Sequence, residues 1–221
     1  MQPNAVRYFE LTGSWQSYRF FDNYTNEIRE QLTFKIDALR RVHSFFRCLA
    51  QALSRNCSTI FSHPSQTNIT QAQLRQEIAS TGFKWVGVHI RRGDFLRVKR
   101  NVSSPAFVIS AMDHFIHKYG VNRTIFLVTG DEKGYCLSTY GNLTNVFITP
   151  KWFAPKEDLA LLAACSDTIV TVGTFGWWGG FLSGGEVLHD RRSPTDHRPA
   201  DVNCKGEEFF PKWFSFLNKT V

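Results

Sequence analysis

Two adjacent arginines, Arg91 and Arg92, directly follow an apolar stretch and precede Asp94 in the sequence VGVHIRRGDF, residues 86–95. The apolar residues 86–90 are typical of a buried strand. Charge at the end of such a strand is costly to bury without a partner. Because a guanidinium can donate two parallel hydrogen bonds to a phosphate or carboxylate, the pair favours a compact anionic ligand.

The other positive charges of the chain are mostly scattered. The formal net charge is +7, and the densest group of cations consists of the arginine pair with Arg97, Lys99 and Arg100. A nucleic-acid groove would show a repeated basic stripe interleaved with aromatic residues, and the sequence has none. We therefore expect a small anion rather than a nucleic acid.

The arginine pair belongs to a region with the pattern of an α/β domain. From residue 83, short β-branched runs alternate with helical patterns, as in a parallel sheet covered by helices on both faces. The predicted strands lie at 84–90, 124–130, 145–150, 167–173 and 186–190. Helices are predicted at 104–120 and 155–166, an irregular helix at 174–185, and a short helix or turn at 131–141. We predict a Rossmann-like sheet over residues 83–190.

The sequence before this region is predicted to be mainly helical. Apolar residues at three- and four-residue spacing predict one long helix over 24–54 and a second helix over 71–80. We therefore divide the chain into a mainly helical part, residues 1–80, and a Rossmann-like domain, residues 81–221.

Three loops of the predicted sheet should meet at one edge, because ligands of such sheets bind at the carboxyl ends of the strands. One loop carries the arginine pair, a second carries Asp131, and a third is the glycine-rich run 173–176. Arginines, a carboxylate for a ribose hydroxyl or base N–H, and free backbone N–H groups at a helix start suit a nucleoside diphosphate. The third loop contributes Thr174, Phe175 and Gly176.

Other interpretations of these motifs are weaker. Arg-Arg-Gly-Asp is compatible with a solvated surface cluster or an adhesion motif, and the glycines with tight helix packing alone. No G-x-G-x-x-G or G-x-x-x-x-G-K-[ST] sequence supports a dinucleotide site or a P-loop. No Asp-x-Asp pair or His/Cys cluster has metal-ligand spacing, so we predict neither a metal nor a cofactor.

Glycosylation signals in the sequence indicate the cellular compartment of the protein. Seven of the eleven asparagines lie in Asn-x-Ser/Thr sequons, which favours passage through the secretory lumen. The sequon asparagines are Asn23, Asn56, Asn68, Asn101, Asn122, Asn142 and Asn218. Residues 1–20 contain no apolar run of signal-peptide or membrane-span length, and we expect an entry signal upstream of this sequence. Five cysteines permit two disulfides, and Cys165 is expected to be a buried thiol.

The motifs resemble those of one enzyme family. VGVHIRRGDF resembles the His-x-Arg-Arg-x-Asp motif of fucosyltransferases that use GDP-fucose. The block EDLALLAACSDTIVTVGTFGWWGGFLSGG looks like the C-terminal block of the galactoside α-1,2-fucosyltransferases, glycosyltransferase family 11. The order of the motifs also fits: the arginine motif, FLVTGD, the Thr-Phe-Gly block and FFPKW. The resemblance covers about residues 83–215.

This resemblance implies a fold, a reaction and a compartment. It implies a two-domain GT-B-like enzyme, of which this chain holds the donor-binding half and a helical remnant of the acceptor-side domain. The reaction would be metal-free, inverting transfer of L-fucose from GDP-β-L-fucose, a co-substrate, to the 2-hydroxyl of a terminal β-galactoside on a glycoprotein or glycolipid. The enzyme would be a type II membrane protein of the Golgi lumen, with its N-terminal anchor outside this chain.

The resemblance also implies site residues. Arg91 would face the diphosphate with Arg92 as its companion, and His89 and Asp94 complete the motif. Asp158 would line the nucleotide together with the Thr-Phe-Gly block. Our first candidate for a base that takes the acceptor proton is Asp94, and the second is His89.

Two alternatives stay open. One is another GDP-fucose enzyme, such as a protein O-fucosyltransferase, because the arginine motif is shared by several fucosyltransferase families. The other is a non-catalytic carbohydrate- or nucleotide-binding fragment, because family members carry roughly another hundred residues ahead of this point.

Overall fold

The computed structural model describes residues 17–53, 68–190 and 206–217. The helices are α1 Thr25–Gln31, α2 Ile36–Leu53, α3 Gln71–Ser80, α4 Gly93–Arg97, α5 Pro105–Tyr119, α6 Lys133–Tyr140, α7 Pro155–Ala164, α8 Thr174–Ser183 and α9 Gly206–Phe209. The strands are β1 Lys84–Ile90, β2 Thr124–Gly130, β3 Val146–Ile148, β4 Asp167–Val170, β5 Val187–His189 and β6 Phe214–Phe216.

The strands form one parallel sheet in the order β3-β2-β1-β4-β5-β6. This is the strand order of dinucleotide-binding folds, and it reverses direction between β1 and β4. The prediction of a Rossmann-like α/β domain is therefore confirmed. The reversal leaves a crevice at the carboxyl ends of β1 and β4, where such sheets bind their ligands.

Local sequence signals explain the helix boundaries. The hydroxyl of Ser104 accepts from the N–H of Phe107 and caps α5, Pro105 occupies its first turn, and Gly120 ends it with φ +89°. The side chain of Thr70 caps α3 in the same way, and that of Gln73 bonds back to the N–H of Thr70. Both helices match the predicted segments.

The long helix predicted over 24–54 is wrong. The chain leaves the helix after Gln31 and re-enters it at Ile36. In between, Phe34 packs against two separate core clusters, one formed with α2 and α7 and the other with α8. Burying this ring in both clusters requires the backbone to turn, and the tertiary contact overrides the helical periodicity.

The sheet is covered on both faces. Helices α2, α3 and α7 share a core with Trp85 of β1 and with Ile125 and Leu127 of β2. On the other face, α5 and α6 pack on β1 and β2 around Val86, Val88 and neighbouring apolar residues. Helices α2 and α3 pack on the sheet itself, so residues on both sides of position 80 share one core. The division of the chain between residues 80 and 81 stays a prediction.

Strand β6 was missed from the sequence. Its three residues follow Pro211 and Trp213, and they pair with β5 in parallel. An aromatic cluster joins this segment to α8, with Trp177 and Phe181 on the helix and Phe209 and Phe214 at the C-terminal end. Short length and the absence of alternation hid the strand.

Candidate nucleotide-binding site

Arg91 lies at the carboxyl end of β1, beside the crevice where the strand order reverses. Its N–H donates to the hydroxyl of Thr171, a residue that follows β4, at 2.9 Å. The guanidinium contacts two carboxylates: Nη2 is 2.7 Å from Oδ2 of Asp94, and Nη1 is 3.4 Å from Oδ2 of Asp131. The side chain is 30% exposed, so it is held in place and still reaches the surface.

Phe95 and Gly173 confine the Arg91 side chain. The guanidinium lies 5.7 Å from the centroid of the Phe95 ring, a cation–π distance. A Cβ at Gly173 would lie 3.4 Å from Cγ of Arg91 and 3.6 Å from Cζ of Phe95. Gly173 also has φ +93°, which L side chains rarely adopt, so a glycine is required there. The turn into α8 therefore passes directly beside Arg91.

Arg92 points away from its neighbour. Its Nε donates to Oε2 of Glu132 at 3.1 Å, and its guanidinium lies 4.0 Å from the centroid of the Tyr135 ring in α6. Both partners follow β2. We expected the two arginines to share one ligand, but the Arg92 side chain contacts residues that follow β2, whereas the N–H of Arg91 contacts Thr171 after β4.

Asp131 lies under the arginine loop. Its Oδ1 accepts from the N–H of Arg92 and its Oδ2 from the N–H of Gly93, each at 3.0 Å. Thus the three loops predicted to meet do meet. The second loop contacts the first loop directly, whereas we expected it to contact a ligand.

His89 is buried beneath the start of α8. Its ring stacks at a tilt on Phe175, with centroids 5.0 Å apart, and a Cβ at Gly176 would lie 2.6 Å from its Nδ1. Burial lowers the pKa of His89 to about 3, and the charge of Arg91 adds to this shift. Such a histidine is neutral near pH 7 and packs against the turn that carries Thr174 and Gly176.

Asp158 lies at the same edge of the sheet, in the first turn of α7. Its Oδ2 pairs with Nζ of Lys133 at 3.0 Å. Burial raises the pKa of Asp158, against hydrogen bonding from Thr129 and the charge of Lys133. Because Thr129 belongs to β2 and Lys133 to α6, Asp158 lies on the β2 side of this edge.

Several residues of this site were missed from the sequence: Thr171, Phe95, Glu132, Tyr135 and Lys133. Each contacts another residue of the site, at distances that depend on strand order. Phe95 and Thr171 lie within recognised motifs and Glu132 directly follows one, but position in a motif does not show which atoms a residue contacts.

The remaining predicted residues stand as follows. All five sequon asparagines within the described segments are exposed, namely Asn23, Asn68, Asn101, Asn122 and Asn142. Asn56 and Asn218, like Cys57 and Cys204, lie outside the described residues. The free thiols are Cys48, Cys136 and Cys165, and the last is buried as predicted. Three free thiols leave at most one disulfide, fewer than the two that the count permits.

Residues 17–53, 68–190 and 206–217 contain no helix with the length and apolar character of a membrane span. No group of three or more His, Cys, Asp or Glu side chains in them is placed to hold a metal ion.

Comparison with known proteins agrees with this fold. Residues 61–214 match the family model described as glycosyl transferase family 11. The chain belongs to this family.

Its curated relatives carry consistent names. Galactoside 2-alpha-L-fucosyltransferase Sec1 of Mus musculus is 28% identical over 93% of this chain and 51% of its own length. Galactoside alpha-(1,2)-fucosyltransferase 2 of Oryctolagus cuniculus is 28% identical over 94% and 53%. Galactoside alpha-(1,2)-fucosyltransferase 1 of Rattus norvegicus is 31% identical over 82% and 44%. The chain thus spans about half the length of the relatives that it matches. No solved structure matches it.

Proposed function

We propose that this chain is the donor-binding part of a galactoside α-1,2-fucosyltransferase. It would bind GDP-β-L-fucose and support inverting transfer of fucose to the 2-hydroxyl of a terminal β-galactoside. Membership of glycosyl transferase family 11 and the names of the relatives support this activity. The observation that carries the proposal is the position of Arg91, held at the switch point of the sheet beside the first turn of α8.

The chemistry of the donor requires such a group. When the bond from fucose to the phosphate oxygen breaks, GDP gains negative charge, and a preorganised donor of hydrogen bonds stabilises it. The Arg91 guanidinium is one such donor. The N–H groups of Thr174, Phe175 and Gly176, which have no intrahelical acceptor at the start of α8, are others.

Net charge alone would not bind this ligand. Around Arg91 and Arg92 lie three carboxylates, those of Asp94, Asp131 and Glu132. Recognition of a diphosphate here therefore depends on the direction of the Arg91 donors and of the α8 N–H groups. This geometric requirement explains why the arginine is fixed on two sides by carboxylates and packed against a ring.

Asp94 is the better candidate for the base. It is 44% exposed, and its Oδ2 contacts Arg91. It would take the proton of the attacking hydroxyl while the sugar passes through an oxocarbenium-like state. His89, by contrast, is 2% exposed and has a pKa lowered to about 3, which favours a packing role.

The compartment and anchor are also proposed. Sequons with exposed asparagines support passage through the secretory lumen, and we propose a protein of the Golgi lumen held by an N-terminal anchor. The proposed acceptor is a β-galactoside on a glycoprotein or glycolipid.

The direct test is transfer of labelled fucose from GDP-fucose. We expect transfer to a β-galactoside and none to a folded peptide domain. Transfer to the peptide domain would instead favour a protein O-fucosyltransferase. Arg91→Ala should abolish transfer, whereas Arg40→Ala, at an exposed position on α2, should not change it. Binding of GDP without transfer to any acceptor would favour the non-catalytic alternative. Equal transfer by both variants would remove Arg91 from the mechanism.

A further inference from the structure

Asp131 makes more contacts with the arginine loop than any other side chain described above. It accepts hydrogen bonds from the N–H groups of Arg92 and Gly93 at 3.0 Å each, and its Oδ2 lies 3.4 Å from Nη1 of Arg91. We propose that Asp131 is a positioning residue, which sets the direction of the Arg91 guanidinium and does not contact the nucleotide. This inference rests on the proposed function, because it concerns the diphosphate that Arg91 would bind.

The fold places Asp131 beneath this loop. Residues of β2 and β1 are in register up to the pair Gly130 and Ile90. A Cβ at Gly130 would lie 2.4 Å from the carbonyl oxygen of Ile90, so only glycine permits this approach of the two strand ends. The residue after Gly130 therefore reaches the backbone of the loop that follows Ile90.

The loop is fixed from both neighbouring strands. The Thr171 hydroxyl, after β4, accepts from the N–H of Arg91 at 2.9 Å, and the Asp131 carboxylate, after β2, accepts from the next two N–H groups. Three consecutive backbone donors, from Arg91 to Gly93, are thus used where α4 begins. With its backbone held in this way and its guanidinium in contact with Asp94 and Asp131, Arg91 loses little side-chain freedom when it binds an anion.

Positioning and simple charge give opposite expectations. Asp131 contributes a negative charge 3.4 Å from the cation that would face the diphosphate. If charge alone mattered, Asp131→Asn would strengthen the binding of GDP, because it removes a repulsion. If Asp131 positions the loop, the same change weakens GDP binding, because the asparagine NH₂ cannot accept from a backbone N–H.

The test compares GDP with guanosine, which lacks the phosphates. Isothermal titration of both ligands into the wild-type chain and Asp131→Asn is the measurement, and circular dichroism checks that the variant is folded. We expect a Kd for GDP about tenfold higher in the variant and a Kd for guanosine within about twofold of wild type. Asp113→Asn, the same charge change at an exposed position on α5, should alter neither value.

Unchanged or tighter GDP binding by Asp131→Asn would overturn the inference. An equal loss for GDP and guanosine in a folded variant would also overturn it, because Asp131 would then contact the nucleoside. If wild type binds neither ligand, the proposed function fails, and this inference with it. Suppose instead that wild type binds GDP, and that Asp131→Asn either binds GDP as well as wild type or better, or loses GDP and guanosine equally. Only the positioning role of Asp131 then fails.

A second variant tests the same contact without removing the carboxylate. A Cβ at Gly93 would lie 3.1 Å from Oδ2 of Asp131, close enough to displace it. Gly93→Ala should therefore show the same selective loss for GDP, and it decides the question if Asp131→Asn does not fold. Gly134→Ala is the matched control, since a Cβ there meets nothing within 4 Å. Equal GDP affinity in Gly93→Ala and Gly134→Ala would contradict the inference.

Discussion

At the residue scale, the site depends on close contact between glycines and buried side chains. Gly176 is the clearest case, because a Cβ there would lie 2.6 Å from Nδ1 of His89, whose ring is fully buried. The histidine of the arginine motif and the glycine of the Thr-Phe-Gly block are therefore one packing unit. The sequence motifs identified both residues, but only the fold shows that they are in contact.

This contact predicts the effect of Gly176→Ala. Overpacking a buried site costs about 1–3 kcal/mol, which exceeds the helix propensity gained by replacing glycine with alanine. We expect a lower free energy of unfolding and weaker GDP binding, measured by urea denaturation and titration. Gly134→Ala in α6 has open space around its new Cβ, so it should keep GDP binding and should not lower the free energy of unfolding. A Gly176→Ala chain as stable as wild type would contradict the contact.

At the element scale, Arg75 joins the ends of two helices. From α3, its guanidinium donates to the carbonyl of Ala163 at the end of α7 and to that of Leu182 at the end of α8. Burial lowers the pKa of Arg75, and the nearby charge of Arg29 lowers it further. Since α8 carries the Thr-Phe-Gly turn at its other end, this link holds the helix that forms one side of the crevice.

Loss of this link should be measurable. Arg75→Met keeps the apolar stem but leaves two carbonyls without their donor, at about 1–3 kcal/mol for each group that remains buried. We expect a lower midpoint of urea unfolding for Arg75→Met and no shift for Arg123→Met, which replaces an exposed arginine. Equal midpoints would show that water replaces the guanidinium at no cost.

Local signals allowed most of the sheet elements to be predicted, and long-range contacts account for the errors. Strand β1 and helix α5 were predictable because a continuous apolar run, Ser104, Pro105 and Gly120 act over a few residues. The break between α1 and α2 depends on where Phe34 packs, and β6 depends on its pairing with β5. In the site, charged residues at strand ends were predictable, but their mutual contacts were not.

At the scale of the whole molecule, two buried histidines link folding to pH. Burial lowers the pKa of His89 to about 3 and that of His189 to about 4, where the backbone and carboxylate of Asp190 oppose the shift. His189 is enclosed by the rings of Phe210 and Phe216, with centroids 3.8 Å and 4.0 Å away. Both groups take up a proton more readily in the unfolded chain, whose histidines titrate near pH 6.5.

The direction of this pH dependence of stability follows from the two pKa values. Because the folded pKa values lie below the unfolded value, the stability from these histidines is present above about pH 6.5 and is lost as the pH falls towards 4. Urea unfolding between about pH 6 and pH 4.5 should show this loss. His189→Leu should reduce its slope by up to about 1.4 kcal/mol per pH unit. An unchanged slope would mean that His189 is not neutral and buried in the folded chain.

A chelator tests the predicted absence of a metal in catalysis. If guanidinium and backbone donors stabilise the leaving diphosphate, excess chelator leaves fucose transfer intact. Restored activity only after addition of a divalent cation would contradict this expectation. Total metal analysis of the purified protein is the control.

The central claim is that Arg91, at the switch point of the sheet, holds the diphosphate of the donor nucleotide. Titration of GDP into wild type, Arg91→Ala and Arg91→Lys tests it most directly, with Arg40→Ala as the control. We expect the alanine variant to bind GDP at least about tenfold more weakly. The lysine variant should recover little of that affinity, because an ammonium cannot reproduce the guanidinium fork. Equal GDP affinity in wild type and Arg91→Ala would contradict the claim.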